Sequence, residues 1–368
     1  MATDLTPDER VRYSRHLLLS EIGEAGQARL KAGSALVVGA GGLGSPALLY
    51  LAAAGVGRIG IVDFDRLDAT NLQRQVVHGT PAIGGSKARS AAARLRELNP
   101  HVVVEVHETA IGADNALALV SAYDVVIDGT DNFPTRYLVN DACVLAGRPY
   151  VYGSILRFEG QVSVFGLPGG PDYRDLFPVP PAPGTVPSCG EAGVLGVLPG
   201  VIGTLQATEA LKLLLGLGTS LSGRVLLYDA LDLRFTEIAL RRDPARPAVT
   251  ALAPIPDGCR VDGLGRLAPD AYLARLREGW APFVIDVRSP AEQSAGVLPG
   301  TDARLPHDAL VPADVPPDRP VFLVCRSGRR SERAAERLRA AGRGDLWHLE
   351  GGLQAWDEAR HGALVPPG

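Results

Sequence analysis

Cys325 opens the run Cys325-Arg326-Ser327-Gly328-Arg329-Arg330, set between the apolar segment Val321-Phe322-Leu323-Val324 and a helical pattern that begins at Ser331. A thiol on such a strand-to-helix turn has three guanidinium groups around it and faces the N–H groups of a helix N-terminus. Both favour the thiolate, which is the nucleophilic form. The alternative is an inert cysteine buried at the end of a core strand, and that role needs no cationic rim.

A second set of residues points to phosphate chemistry. Gly39-Ala40-Gly41-Gly42-Leu43-Gly44 follows the apolar run Ser34 to Val38 and precedes a helical pattern at Ala47, Leu48, Leu51 and Ala52. Small residues at Gly39, Gly41, Gly42 and Gly44 let backbone N–H groups and a helix N-terminus meet an anion. Asp63, at the end of the next strand and ~20 residues on, can accept a hydrogen bond from a ribose, which suits NAD as well as ATP. Arg74 and Lys87 separate the two. Hydride transfer builds up no polyphosphate charge, whereas nucleotidyl transfer needs cations. It also needs an acid, and Asp131, in Asp131-Asn132-Phe133-Pro134-Thr135-Arg136 just after a strand, can hold magnesium through one or two carboxylate contacts.

The elements that must position these groups alternate along the chain. Strands are expected at 34–38, 58–62, 102–106, 125–128 and 150–153, with helices such as 87–98 and 134–146 between them, so an α/β fold with a Rossmann-like, largely parallel sheet is predicted. An irregular Pro/Gly-rich loop over 166–188 comes next, then a helix over 203–215 and strands at 225–228 and 234–240. Residues 1–254 read as the nucleotide domain, 255–264 as a linker, and 265–368 as a smaller α/β domain that begins with a helix and carries the cysteine turn.

Composition sets outer limits. The 368 residues are 46% hydrophobic and 21% charged with a formal net charge of -4, which is ordinary globular composition with no basic block for nucleic acid. No apolar run spans a bilayer and the N-terminus is acidic, so a cytoplasmic location is expected. The four cysteines, Cys143, Cys189, Cys259 and Cys325, form no CxxC pair.

Together the motifs carry a resemblance. Arg12-Tyr13-Ser14-Arg15-His16, the glycine turn, Val62-Asp63-Phe64-Asp65, Asn71-Leu72-Gln73-Arg74-Gln75, Lys87 and Thr130-Asp131-Asn132 resemble the MoeB/ThiF family of ubiquitin-activating-like adenylyltransferases. Asp286-Val287-Arg288-Ser289-Pro290, Glu292, Gly296-Val297-Leu298-Pro299-Gly300, the Cys325 run and Glu350-Gly351-Gly352 resemble a rhodanese domain. The whole chain resembles fused adenylyltransferase and sulfurtransferase proteins of the MoeZ and Uba4 type. This implies that Gly42, Asp63, Thr70, Asn71, Arg74, Lys87, Asp131 and Asn132 bind MgATP, in a homodimer whose Arg15 reaches the neighbouring subunit's nucleotide. It implies a small ubiquitin-fold sulfur-carrier protein ending in Gly-Gly as partner, and a sulfur donor such as a cysteine desulfurase or thiosulfate. Cys325 would carry a persulfide held anionic by Arg326, Arg329 and Arg330, and Cys189 would resolve the later acyl-disulfide.

One departure stands out. Many members of the resembled family hold a structural zinc with two CxxC pairs, but here the corresponding places read Asp172-Tyr173-Arg174-Asp175 and Arg246-Pro247-Ala248-Val249. Such a donor set cannot make a closed zinc site, so zinc is not expected. Arg246 is expected to bridge Asp172 and Asp175 instead, as a surface pair of about 0–1 kcal/mol. The reading that unites these features is ATP-dependent adenylation of the carrier's terminal glycine followed by sulfur transfer. Its rivals are an NAD-dependent oxidoreductase with a thiol domain and a non-catalytic carrier-binding scaffold.

Overall fold

In the computed structural model, which describes residues 4–179, 193–252, 264–359 and 361–366, the chain divides near residue 255 into two compact units. The strands of the first are β1 (Ser34–Val38), β2 (Arg58–Val62), β3 (Val103–His107), β4 (Val125–Asp128), β5 (Tyr150–Leu156), β6 (Glu159–Phe165), β7 (Arg224–Asp229) and β8 (Arg234–Ala239). They pair in the order β3-β2-β1-β4-β5-β6-β7-β8. The first five in that order are parallel, as the alternating pattern predicts. The last three are not. Only Arg157 and Phe158 separate β5 from β6, and so short a connection can only reverse the chain.

The helices are α1 (Pro7–Arg12), α2 (Ser14–Leu17), α3 (Gly23–Ala32), α4 (Gly44–Ala54), α5 (Lys87–Leu98), α6 (Ala116–Ser121), α7 (Phe133–Ala146), α8 (Tyr173–Leu176) and α9 (Leu198–Leu215). Their ends follow local chemistry. Ser86 and Asn132 cap α5 and α7 through their side chains, and Gly55, Gly147 and Gly216 end α4, α7 and α9 in the left-handed region. Alternate residues of the central strands feed two cores. Val37, Ile61 and Ile127 pack in the cluster that includes residues of α4, α5 and α9, and Leu36, Val38 and Val126 in the cluster that includes residues of α6 and α7. Each such buried side chain contributes roughly 1.5–3 kcal/mol. α8 lies within the stretch read from sequence as irregular loop. It forms because Asp172 caps it and Asp175 bonds back to the Asp172 N–H.

The second unit contains β9 (Leu264–Leu267), α10 (Pro269–Arg277), β10 (Phe283–Asp286), α11 (Pro290–Ser294), β11 (Ala303–Arg304), β12 (Val321–Val324), α12 (Arg329–Ala340), β13 (Leu346–Leu349) and α13 (Gly352–Glu358). Its sheet is parallel throughout, in the order β11-β10-β12-β13-β9. The unit therefore begins with a strand where the sequence suggests a helix. Leu-Gly-Arg-Leu is a poor strand signal, but Gly265 is fixed by its partner, since a Cβ there would lie 2.0 Å from the Trp347 ring. Among the described residues no helix is long and apolar enough to cross a membrane.

Candidate functional site

The carboxyl ends of β1, β2 and β4 meet in register, Val38 opposite both Val62 and Asp128. Gly39, Asp63 and Gly129 thus emerge side by side where the strand order switches direction, the usual ligand position in such sheets. The glycines of the turn have separate causes. Gly39 has φ 94°, and a Cβ on Gly44 would sit 1.9 Å from the Gly39 carbonyl oxygen, so both are demanded by the fold. Gly41 is not, because a Cβ there would find its nearest neighbour, Gln75 Nε2, at 3.7 Å. The space beside Gly41 suits close approach of a phosphate, and Gln75 Oε1 is buried without a hydrogen-bond partner. Gly42 lies between Pro199 and Arg74.

Asp63 ties the turn to the rest of the site. Its Oδ2 accepts from Ala40 N–H at 2.7 Å and its Oδ1 from Asp65 N–H at 2.8 Å. Burial raises its carboxyl above the ordinary value against those bonds. Asp65 in turn pairs with the buried Lys87 at 2.9 Å, so the structure joins the turn, Asp63 and Lys87 in one chain of contacts. His78, which motif spacing does not reveal, braces the turn by approaching the Ala40 oxygen at 2.9 Å.

Thr70 and Asn71 carry structural duties besides any ligand. Both Thr70 N–H and hydroxyl donate to Asp68, and Asn71 Oδ1 accepts from Asp68 N–H. Arg74 leans back onto the Thr70 carbonyl at 3.1 Å. Asp131 is exposed just past β4, and Asn132 is spent as the α7 cap. An exposed carboxylate at this strand end fits magnesium, which takes one or two protein carboxylates together with phosphates. Beneath it Asp128 is fully buried with Oδ2 unpartnered. Arg15 is exposed on α2, and among the described residues no hydrogen bond or ion pair links it to the glycine turn.

In the second unit the sulfur of Cys325 sits at the end of β12, fully buried. Gly328 N–H donates to Sγ at 3.1 Å, and Ser331 Oγ lies 3.5 Å away. The turn is pinned from below: Leu353 N–H donates to the Cys325 carbonyl, and a Cβ on Gly352 would strike that carbonyl oxygen at 2.5 Å. Of the cationic rim, Arg330 is shared between the sulfur and an acid. Arg330 is held by both oxygens of Glu292, at 2.6 and 2.7 Å, and this pairing takes the Glu292 carboxyl down to about 2. Arg326 is exposed. Behind Ser331 lies the buried His348, 3.1 Å from its hydroxyl, a neighbour that no sequence spacing announces.

Cys189 and Cys259 lie outside the described residues. Cys143 is fully buried in α7, and burial pushes its thiol well up. The place where the family resemblance would put zinc is filled by a guanidinium. Arg246 Nε donates to Asp175 Oδ1 at 2.9 Å and Nη2 to Asp172 Oδ2 at 2.5 Å. Zinc does not fit a site whose centre is already a cation, with two carboxylates and no thiolate or imidazole. Among the described residues no cluster of three or more His, Cys, Asp or Glu could hold a metal.

Comparison with known proteins bears on the family. The ThiF family model matches residues 13–248 and the rhodanese-like domain model residues 268–359. The chain is 47% identical to a probable adenylyltransferase/sulfurtransferase MoeZ of Mycobacterium tuberculosis, over 96% of this chain and 94% of that one. It is 44% identical to adenylyltransferase and sulfurtransferase MOCS3 of Mus musculus, over 96% and 86%. It is 54% identical to a sulfur carrier protein adenylyltransferase of Thermus thermophilus, over 66% of this chain and 91% of that one. Escherichia coli MccB shares the fold, with TM-score 0.57 at 21% identity over 64% of this chain and 73% of that one.

Proposed function

The chain belongs to the ThiF family with a rhodanese-like domain appended, and on that premise we propose a two-stage reaction on the terminal glycine of a small ubiquitin-fold sulfur-carrier protein. The broad activity, ATP-dependent adenylation and sulfur transfer, is that of the family. The dehydrogenase and scaffold readings fall away.

In the first stage a carboxylate oxygen of the carrier attacks the α-phosphorus of ATP and pyrophosphate leaves. Backbone N–H groups around Gly41 and Gly42 receive phosphate oxygens, and Asp63 holds the ribose. Lys87 and Arg74 offset the charge that grows on the leaving group, with Arg15 of a second subunit as the third cation. Asp131 would hold magnesium, which would supply electrostatic stabilisation of the phosphates.

In the second stage the outer sulfur of a Cys325 persulfide attacks the acyl-adenylate carbonyl and AMP leaves, giving an acyl-disulfide. Attack by the Cys189 thiolate on Cys325 Sγ then releases the thiocarboxylate and leaves a disulfide between the two cysteines, which an external dithiol reduces. Metal-free docking of the α8 segment by Arg246 belongs to the same reading.

The observation that carries the proposal is the pairing, in one chain, of a glycine cradle tied to Lys87 with a sulfur seated on the Gly328 N–H. The test is mass spectrometry of a Gly-Gly carrier after incubation with MgATP and thiosulfate, beside ATP–pyrophosphate exchange. Cys325→Ala should keep exchange and yield no thiocarboxylate, whereas Asp131→Ala should lose exchange by at least about a hundredfold. Thiocarboxylate from Cys325→Ala without free sulfide would refute the persulfide route.

A further inference from the structure

Among the described residues, two groups stand within hydrogen-bond reach of the Cys325 sulfur. Arg330 acts on the Cys325 sulfur through its charge but gives its hydrogen bonds to Glu292, and Arg288 gives its own to the buried Asp286 with contacts of 2.6 to 3.0 Å. His307 faces the Glu292–Arg330 pair, and burial holds it below its ordinary pKa. The Gly328 N–H is one donor, and the Ser331 hydroxyl is the side-chain group next in reach.

That hydroxyl has one proton and three neighbours: the Gly328 carbonyl at 2.7 Å, His348 Nδ1 at 3.1 Å and Cys325 Sγ at 3.5 Å. Were Nδ1 unprotonated, two acceptors and an anionic sulfur would compete for a single proton. With the proton on Nδ1, His348 fills a lone pair of Ser331 and leaves the Ser331 proton to choose between carbonyl and sulfur. The other ring nitrogen allows this. Nε2 has no hydrogen-bond partner, and the Glu332 oxygen 3.7 Å away is held by Arg266 at 3.0 Å. Burial, then the Arg266 charge, brings the imidazole down to about 4, so it is neutral near pH 7 and donates from one nitrogen.

We infer that His348 is a positioning residue for the sulfur chemistry: its Nδ1–H donates to Ser331 Oγ, so that the Ser331 proton turns from the Gly328 carbonyl to the Cys325 sulfur when that sulfur is anionic. The neutral thiol instead donates its S–H to Ser331. Pairing of β12 with β13, which sets Leu323 opposite His348, builds the relay into the sheet. It rests on the reading that Cys325 is the sulfur-bearing residue.

The test is the pH dependence of Cys325 alkylation by iodoacetamide in the full chain, read by mass spectrometry of its peptide. His348→Leu and Ser331→Ala should each slow the reaction about tenfold at neutral pH and move the profile to alkaline pH, as loss of a hydrogen bond to an anion predicts. The double variant should be no slower than either. His348→Asn, whose amide can donate from nearly the position of Nδ1–H, should stay within about twofold of wild type. A wild-type profile in His348→Leu, or His348→Asn as slow as His348→Leu, overturns the inference. All three tryptophans, Trp280, Trp347 and Trp356, lie in this unit, so their fluorescence reports its folding. If His348→Leu does not fold, slow Ser331→Ala beside normal His348→Asn supports the relay, and slow His348→Asn sinks it. Persulfide labelling of wild type by thiosulfate is scored separately. Its absence with shifted alkylation profiles would remove sulfur carriage and leave the relay standing.

Discussion

Arg246 grips Asp175 through both carboxylate oxygens, Nε to Oδ1 at 2.9 Å and Nη2 to Oδ2 at 3.2 Å, and Nη2 also reaches Asp172. The bridge expected from sequence forms, but it is not a surface pair: the side chains of Asp175 and Arg246 are 1% and 15% exposed. Burial works to raise the Asp175 carboxyl, yet bonds from Arg246, Asp172 N–H and Asp243 N–H together hold it below its ordinary value. Arg246→Ala would strand two neighbouring carboxylates, so the expected loss is about 3 kcal/mol, above the 0–1 of an exposed pair. A thermal midpoint equal to wild type would contradict this. A chelator should leave the wild-type midpoint unchanged, and metal analysis should find well under one zinc per chain.

Arg15 and Lys87 test the proposal of a site shared between subunits. Arg15 is exposed, and Val11 and Leu18 near it are 76% and 74% exposed, an apolar surface suited to a second subunit. Mixing inactive Arg15→Ala with inactive Lys87→Ala should restore roughly a quarter of wild-type exchange by random re-pairing, because each mixed dimer holds one intact site. No recovery after demonstrated subunit exchange would exclude Arg15 acting across subunits.

His348 predicts a pH window for stability. Its folded value of about 4 lies below the ordinary 6.5, so between those values the unfolded chain binds the proton first. Stability is therefore full above about 6.5 and is lost as pH falls toward about 4, by on the order of 3 kcal/mol in all. Tryptophan-detected melting of the second unit should show this slope, and His348→Asn should flatten it. An unchanged slope in that variant would show that another group titrates.

The sequence exposed those features in which backbone geometry restricts residue type. Gly39 and Gly44 are required by a left-handed turn and a 1.9 Å approach, and Asp63 by two N–H groups, so their spacing carries the message. What stayed hidden is made by pairing across elements. Glu292 and Arg330 both lie in motifs, yet only the packing of α11 and α12 shows that one neutralises the other. β9 escaped because its strand character comes from Trp347 on β13, and the role of His348 because strand register alone brings it behind Ser331.

The burial of Cys143 bears on where sulfur can go. Sulfane sulfur hops between thiolates that can reach one another, and a protonated thiol inside α7 neither attacks nor accepts. Asp172, Asp175, Arg246 and Val249, which stand where the family resemblance would put ligand cysteines, offer no thiol either. If Cys325 carries a persulfide as proposed, neither Cys143 nor these four positions can draw its sulfur away.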